Sequence, residues 1–263
     1  DIYGYMTYLS RERVLHQNSD ASGYGLNAAS RARKIATIRS FYKYLTNKVH
    51  LIKENPVKDL DSPKLKKTLP KYLTLEESVQ LLSSVDGQNR ERDYCILTLF
   101  LNCGLRISEL CALNTTDIQD DALRVLGKGN KVRIVYLNDA CKEALSGYLA
   151  MRHPIVGRDQ NALFLSSRNE RVSRSTVHAL VKKHLSEAGL DSTQYSAHKL
   201  RHTAATLMLQ NGVDVKAVQE VLGHEHLNTT EIYTHIDNEA LRVAAKANPL
   251  SRVKPPKKNE AEN

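Results

Sequence analysis

The segment Gly104-Leu105-Arg106-Ile107-Ser108-Glu109-Leu110 stops one helical pattern and starts another. Upstream, Glu91–Cys103 has apolar residues at helical spacing, and Gly104 falls where a glycine in the left-handed region ends a helix. Downstream, a short helix is predicted from about Ile107. Arg106 therefore opens a helix, where its guanidinium can be aimed out of the fold and Glu109, one turn on, can brace it. The planar fork of an arginine donates two parallel hydrogen bonds and suits a phosphate. By itself the segment is weak, and a surface Arg–Glu pair is the favoured reading.

The flanking sequence is mostly helical in pattern. Thr74-Leu75-Glu76-Glu77 is a capping box, followed by helical spacing through Gln80–Val85. Further helices are predicted at Asp139–Met151, Ser173–Ala188, His198–Asn211, Asp214–Leu222 and about Asn238–Ala247, with Gly212 and Gly223 as terminators. Two β-rich runs, Ala122–Leu126 and Lys131–Leu137, flank Gly127-Lys128-Gly129-Asn130 and predict a hairpin. The fold class is thus mainly α with a small β-sheet.

Nearer the start, a helix is expected over Asp1–Arg13, a loop over Gln17–Asn27 and a basic helix over about Asn27–Lys48. That helix carries Ile35, Ile38, Tyr42 and Leu45 on one face and Arg31, Arg33, Lys34, Arg39 and Lys43 elsewhere. Pro63 and Pro70 keep the next stretch extended, and Lys64, Lys66, Lys67 and Lys71 make it basic. The expected organisation is an N-terminal helical domain over 1–62, a basic linker over 63–72, a larger domain over 73–250 and a tail over 251–263.

The chain has 263 residues and a formal net charge of +9, long enough to bury a core and too apolar for wholesale disorder. The charge is uneven: residues 1–70 hold 13 basic against 6 acidic side chains, the remainder 25 against 23. A basic first quarter points to a polyanion, with nucleic acid the leading candidate. Aromatic residues are 6% with no Trp, and no stacking motif suggests RNA. No stretch approaches a membrane span, and the first residues carry no secretory signal pattern. Cys95, Cys103, Cys111 and Cys141 form no CxxC pair, so reduced buried thiols in a cytoplasmic protein are expected rather than a zinc site.

Three further segments carry chemistry. In Ser196-Ala197-His198-Lys199-Leu200-Arg201-His202, His198 and Arg201 share a helix face, pairing a group that exchanges protons near neutral pH with a permanent cation. Leu222-Gly223-His224 ends a helix, and Tyr233 follows nine residues after His224. Lys128 sits between glycines at the hairpin tip, placed to reach a phosphate oxygen or a leaving hydroxyl. Each alone is weak.

In this order and spacing the segments resemble the tyrosine recombinase family, in particular its Xer and phage-integrase type, over about Leu73–Ala247 and more loosely Ile2–Pro70. The resemblance implies an N-terminal helical core-binding domain and an α+β catalytic domain that grip DNA as a C-shaped clamp. The N-terminal domain of such proteins is usually longer, so the expectation is either that its first helix is missing here or that the subfamily is shorter. No arm-binding domain of the larger integrases is legible.

The implied reaction is attack by a tyrosine on a phosphodiester, giving a 3′-phosphotyrosyl bond and a free 5′-hydroxyl with no metal, cofactor or ATP. Tyr233 matches the nucleophile and His198 the residue that handles its proton. Arg106 and Arg201 match the pair that clamps the phosphate, and Lys128 the acid for the departing oxygen. His224 matches the second histidine, while Glu109 orients Arg106. Expected DNA contacts are Arg31, Arg33, Lys34, Arg39, Lys43, Lys64, Lys66, Lys67, Lys71 and Lys131. Expected partners are double-stranded recombination sites, a homotetramer in which the helix after the nucleophile docks into a neighbour, and an accessory DNA-bending or directionality protein. The alternatives are a type IB topoisomerase-like or telomere-resolving enzyme, or a DNA-binding regulator without catalysis.

Overall fold

The computed structural model describes residues 2–12, 25–65, 71–152, 159–223 and 238–255, with all their side chains except those of Glu12, Lys128, Asn238 and Glu239. The chain divides into two units, residues 1–69 and 70–263. No helix among the described residues is long and apolar enough to cross a membrane.

In the first unit, α1 (Ile2–Thr7) widens into a π-turn at Tyr8–Glu12. There the hydroxyls of Thr7 and Ser10 donate back to the carbonyls of Tyr3 and Thr7. Within the expected helix over Asp1–Arg13, the described residues are thus α-helical to Thr7 and π-helical from Tyr8, and Asp1 and Arg13 lie outside the described residues. Helix α2 (Ala28–Asn47) is capped by Asn27, whose side chain accepts from the Ser30 amide at 2.8 Å. Its expected apolar face is the buried one: Ile35 joins Val57 and Leu60, with Ile2, Met6, Ile38 and Tyr42 against them. Phe41 and Tyr44, however, are exposed, so the outer face is not purely basic.

The second unit is built around α4 (Arg90–Cys103), buried from Arg92 to its end. It packs against α6 (Asp139–Met151) and α8 (Ala197–Gln210), with Leu73 and α3 (Leu75–Ser83) completing that core. Both hydrogen bonds of the capping box at Thr74 and Glu77 are formed. Next come the short α5 (Ile107–Ala112) and an antiparallel sheet ordered β1 (Ile118–Gln119), β2 (Ala122–Leu126), β3 (Val132–Tyr136). The expected hairpin is thus part of a three-stranded sheet, and its tip, Lys128–Asn130, is a tight turn with Gly129 and Asn130 in the left-handed region at φ of 71° and 64°. Register pairs Val125 with Arg133 and Leu123 with Val135, so these four share one face. Helices α7 (Arg174–Glu187) and α9 (Val215–Leu222) follow the predicted spans to within a residue or two.

Two boundaries differ from expectation. Lys71 donates to Gln194 Oε1, and the Leu73 amide donates to Thr203 Oγ1 at 3.0 Å, so the end of the expected linker belongs to the second unit. At the other end, Leu250 is fully buried and Val253 packs on the core, so the expected tail from residue 251 starts inside the folded unit. Asn248 anchors this segment by donating to the Leu101 carbonyl at 3.0 Å. Residues 256–263 of the expected tail lie outside the described residues.

Cys95, Cys103 and Cys141 are buried and free, while Cys111 is only half-buried. Burial pushes the Cys95 and Cys141 thiols well above the ordinary range.

Candidate active site

Gly104 ends α4 with a φ of 58°, and Gly223 ends α9 with a φ of 64°. A Cβ on Gly104 would collide with Leu222 Cδ2, and one on Gly223 would lie 3.0 Å from Arg133 Cδ and 3.1 Å from its Nε. A side chain at Gly104 would thus force Leu222 to move, and one at Gly223 would press on Arg133 by a few tenths of an ångström.

Around this joint lies a cluster of charges. Arg106 caps α5; its Nη1 donates to Glu109 Oε1 at 2.7 Å and its Nη2 to the Gly223 carbonyl at 3.0 Å. Its backbone amide donates to Glu109 Oε2 at 2.8 Å. Arg201, on α8, donates through Nη1 to the Gly104 carbonyl at 2.7 Å and through Nη2 to the Leu222 carbonyl at 2.6 Å. Its Nη1 lies 3.9 Å from Glu109 Oε2. Arg106 is the more accessible of the two, with 36% of its side chain exposed against 7% for Arg201.

Sequence reasoning missed a third arginine. Arg133 on β3 grips Glu109 with both terminal nitrogens, at 2.8 Å to each carboxylate oxygen, and its Nε donates to the Val221 carbonyl at 3.2 Å. The strand Val132-Arg133-Ile134 gives the wrong signal, because apolar residues flank the arginine. Val132 and Ile134 are in fact 53% and 38% exposed, while Arg133 shares the inward face with buried Val125.

Three successive carbonyls at the end of α9 (Val221, Leu222 and Gly223) thus each accept from a different arginine. The last carbonyls of a helix have no partner within it and carry its negative dipole end, so cations belong there. Burial alone would raise the Glu109 carboxyl, but the hydrogen bonds of Arg133 and of the Arg106 amide, the Arg133 charge and the Arg106 guanidinium prevail and hold it at about 2. Burial, then the Arg106 charge, lowers Arg201 to about 10, so it stays protonated at neutral pH.

The remaining expected residues divide as follows. His198 is exposed on α8, one turn before Arg201. His202 is half-buried, edge-on to Tyr72, and lowered by burial and then by Lys199 and His198. The backbone of Lys128 lies in the turn between β2 and β3, but its side chain is outside the described atoms. His224 and Tyr233, with Lys66 and Lys67, lie outside the described residues. Of the expected DNA contacts, Arg33, Lys43, Lys64 and Lys131 are exposed, and Arg31 and Lys34 are half-buried. Arg39 is turned back to the Leu60 carbonyl and to Ser62 Oγ at 3.3 Å, and Lys71 to Gln194, so both already serve the fold.

Helix α10 (Asn238–Lys246), expected to dock into a neighbouring subunit, packs within its own chain. Leu241 and Ala244 join Met208, Val218, Val221 and Leu222 in one apolar cluster. Arg242 stands 4.7 Å over the Tyr136 ring and its Nε is 3.0 Å from Asp121 Oδ2.

The chain belongs to the phage integrase family, whose sequence profile matches residues 71–240. Among its relatives, it is 52% identical to tyrosine recombinase XerC of Caldanaerobacter subterraneus subsp. tengcongensis over 96% of this chain and 69% of that protein. It is 39% identical to tyrosine recombinase XerD of Proteus mirabilis over 83% of this chain and 72% of that one. Among solved structures, XerA recombinase superposes with a TM-score of 0.56 at 31% identity, over 92% of this chain and 80% of that one. A post-cleavage complex of XerH recombinase on a palindromic difH substrate gives 0.65 at 26% identity, over 84% and 67%. The chain is therefore an enzyme of site-specific DNA recombination that works by the tyrosine mechanism.

Proposed function

We propose that Arg106 and Arg201 hold the scissile phosphate of a duplex recombination site while Tyr233 attacks it. The Tyr233 oxygen forms a bond to phosphorus, and the bond to the 5′-oxygen breaks. His198 takes the tyrosine proton, Lys128 protonates the leaving 5′-oxygen, and His224 hydrogen-bonds the phosphate. A free tyrosine, with a pKa of about 10, needs that help to attack at neutral pH. The reverse attack by a 5′-hydroxyl of a second duplex rejoins the strand, so the phosphoester is conserved.

The observation that carries this reading is the convergence of Arg106 and Arg201 on one buried carboxylate at the start of the segment leading to His224 and Tyr233. Three guanidiniums around one carboxylate leave a surplus of positive charge, which a phosphate approaching the accessible Arg106 would neutralise.

The basic first unit would add sequence-independent grip on the backbone through Arg31, Arg33, Lys34, Lys43 and Lys64. The working form is a homotetramer on two sites, in a cytoplasmic protein. Exchange would move α10 from its own groove into the identical groove of a neighbour, burying Leu241 and Ala244 again, so the swap costs little at equilibrium. An accessory DNA-bending or directionality protein would set the outcome.

The test uses a duplex site, obtained by selection from randomised DNA, nicked beside the cleavage position so that rejoining is blocked. Wild type is expected to accumulate a covalent protein–DNA adduct on a denaturing gel and Tyr233→Phe none. An adduct that persists in Tyr233→Phe would refute the assignment.

A further inference from the structure

Arg133 belongs to none of the motif segments, yet it touches two of them with one side chain. Its terminal nitrogens hold both oxygens of Glu109, and its Nε holds the Val221 carbonyl. We infer that Arg133 is a positioning residue of the reaction: it occupies Glu109 so that Arg106 and Arg201 stay aimed, and it fixes the end of α9 from which the chain runs to His224.

The carboxylate of Glu109 accepts four hydrogen bonds, two from the Arg133 fork and two from the side chain and amide of Arg106. That fills the acceptor sites of its two oxygens. Without Arg133, Oε2 keeps only the Arg106 amide and is left half-satisfied in a buried place. Arg201 Nη1, 3.9 Å away, is the nearest cation to be drawn onto it and off the Gly104 carbonyl. The local balance also changes, from three guanidiniums against one carboxylate to two. Both effects weaken neutralisation of a phosphate at Arg106, although Arg133 itself need not touch DNA. Gly223 fits the same device, since a Cβ there would press on the Arg133 side chain at 3.0–3.2 Å.

The inference rests on the proposed reading of Arg106 as a phosphate clamp. Full-length wild type, Arg133→Gln and Arg133→Lys are compared on the nicked duplex for affinity and for single-turnover adduct formation at saturating protein, with thermal midpoints recorded. Affinity is expected to stay within about threefold, while the adduct rate of Arg133→Gln falls at least about thirtyfold. Arg133→Lys keeps the charge but not the fork, and is expected to regain the thermal midpoint yet remain at least about tenfold slow.

A methylphosphonate at the scissile position, which removes one negative oxygen, supplies a readout that loose folding would not move. The gap between variant and wild type is expected to shrink to about threefold or less on that substrate. A wild-type rate in Arg133→Lys, or a gap that is the same on both substrates, would overturn the inference while leaving the proposed function standing. A wild type that forms no Tyr233-dependent adduct would overturn the proposed function and this inference with it.

Discussion

Replacing Glu109 by Gln tests whether the carboxylate beneath the arginines organises the site or merely fills it. Glu109 is buried and its carboxyl is held at about 2 against an ordinary 4.5. By linkage that difference corresponds to about 3 kcal/mol of stability at neutral pH. The folded value is the lower one, so the contribution is complete above pH 4.5 and disappears as pH falls towards 2. Glutamine keeps the shape but presents an amide donor to guanidinium donors and leaves three cations without their counter-charge, for an expected cost of about 3–5 kcal/mol at pH 7. Urea unfolding of both proteins at pH 7, 4 and 3 measures this. The gap should be widest at pH 7 and close as the wild-type carboxyl is protonated. Asp191, also held at about 2 by Thr193 and Gln194, titrates in the same window in both proteins and cancels in the difference. A gap below about 1 kcal/mol at pH 7, or one that does not change with pH, would refute the reasoning.

Other consequences can be checked directly. Gly104→Ala places a methyl group against Leu222 at a positive φ and is expected to lower stability by about 2–4 kcal/mol, seen as a lower denaturation midpoint; a neutral result would mean that α9 does not sit against this turn. Leu250→Ala should cost about 2–5 kcal/mol, because the residue is fully buried, whereas a flexible tail would give no change. In native protein a thiol reagent should modify Cys111 well before Cys95, Cys103 and Cys141, read by mass spectrometry; equal rates would show that the core around α4 opens readily.

Much of the fold was legible because helix ends announce themselves locally. The Thr74 capping box and the glycines at 104 and 223 work within a few residues of chain, so their signals survive without tertiary information. Strand β1 was not legible, since two residues carry no periodicity. Arg106, Glu109 and Arg201 could be singled out by motif, but Arg133 could not: its inward face is set by register with Val125, a pairing that no local pattern encodes. Arg39 and Lys71 hold partners that no local pattern records. A basic side chain on a helix or linker gives no sign in the sequence of the carbonyl or amide it already holds. An amphipathic helix such as α10 does not record whether its groove belongs to its own chain or to another.

The arginines at the end of α9 also govern how a silent version of this enzyme should be made. Removing Arg201 strips the Gly104 and Leu222 carbonyls of their donors, and each buried polar group left so costs about 1–3 kcal/mol. If Arg201 holds the phosphate as proposed, such a protein loses that contact and part of its scaffold at once, and the two losses could not be told apart. His198 stands exposed on the same helix, one turn earlier, and carries no such burden. On the proposed roles, a control meant to bind DNA without cutting it is better built at His198 or Tyr233 than at any guanidinium that also holds the scaffold together.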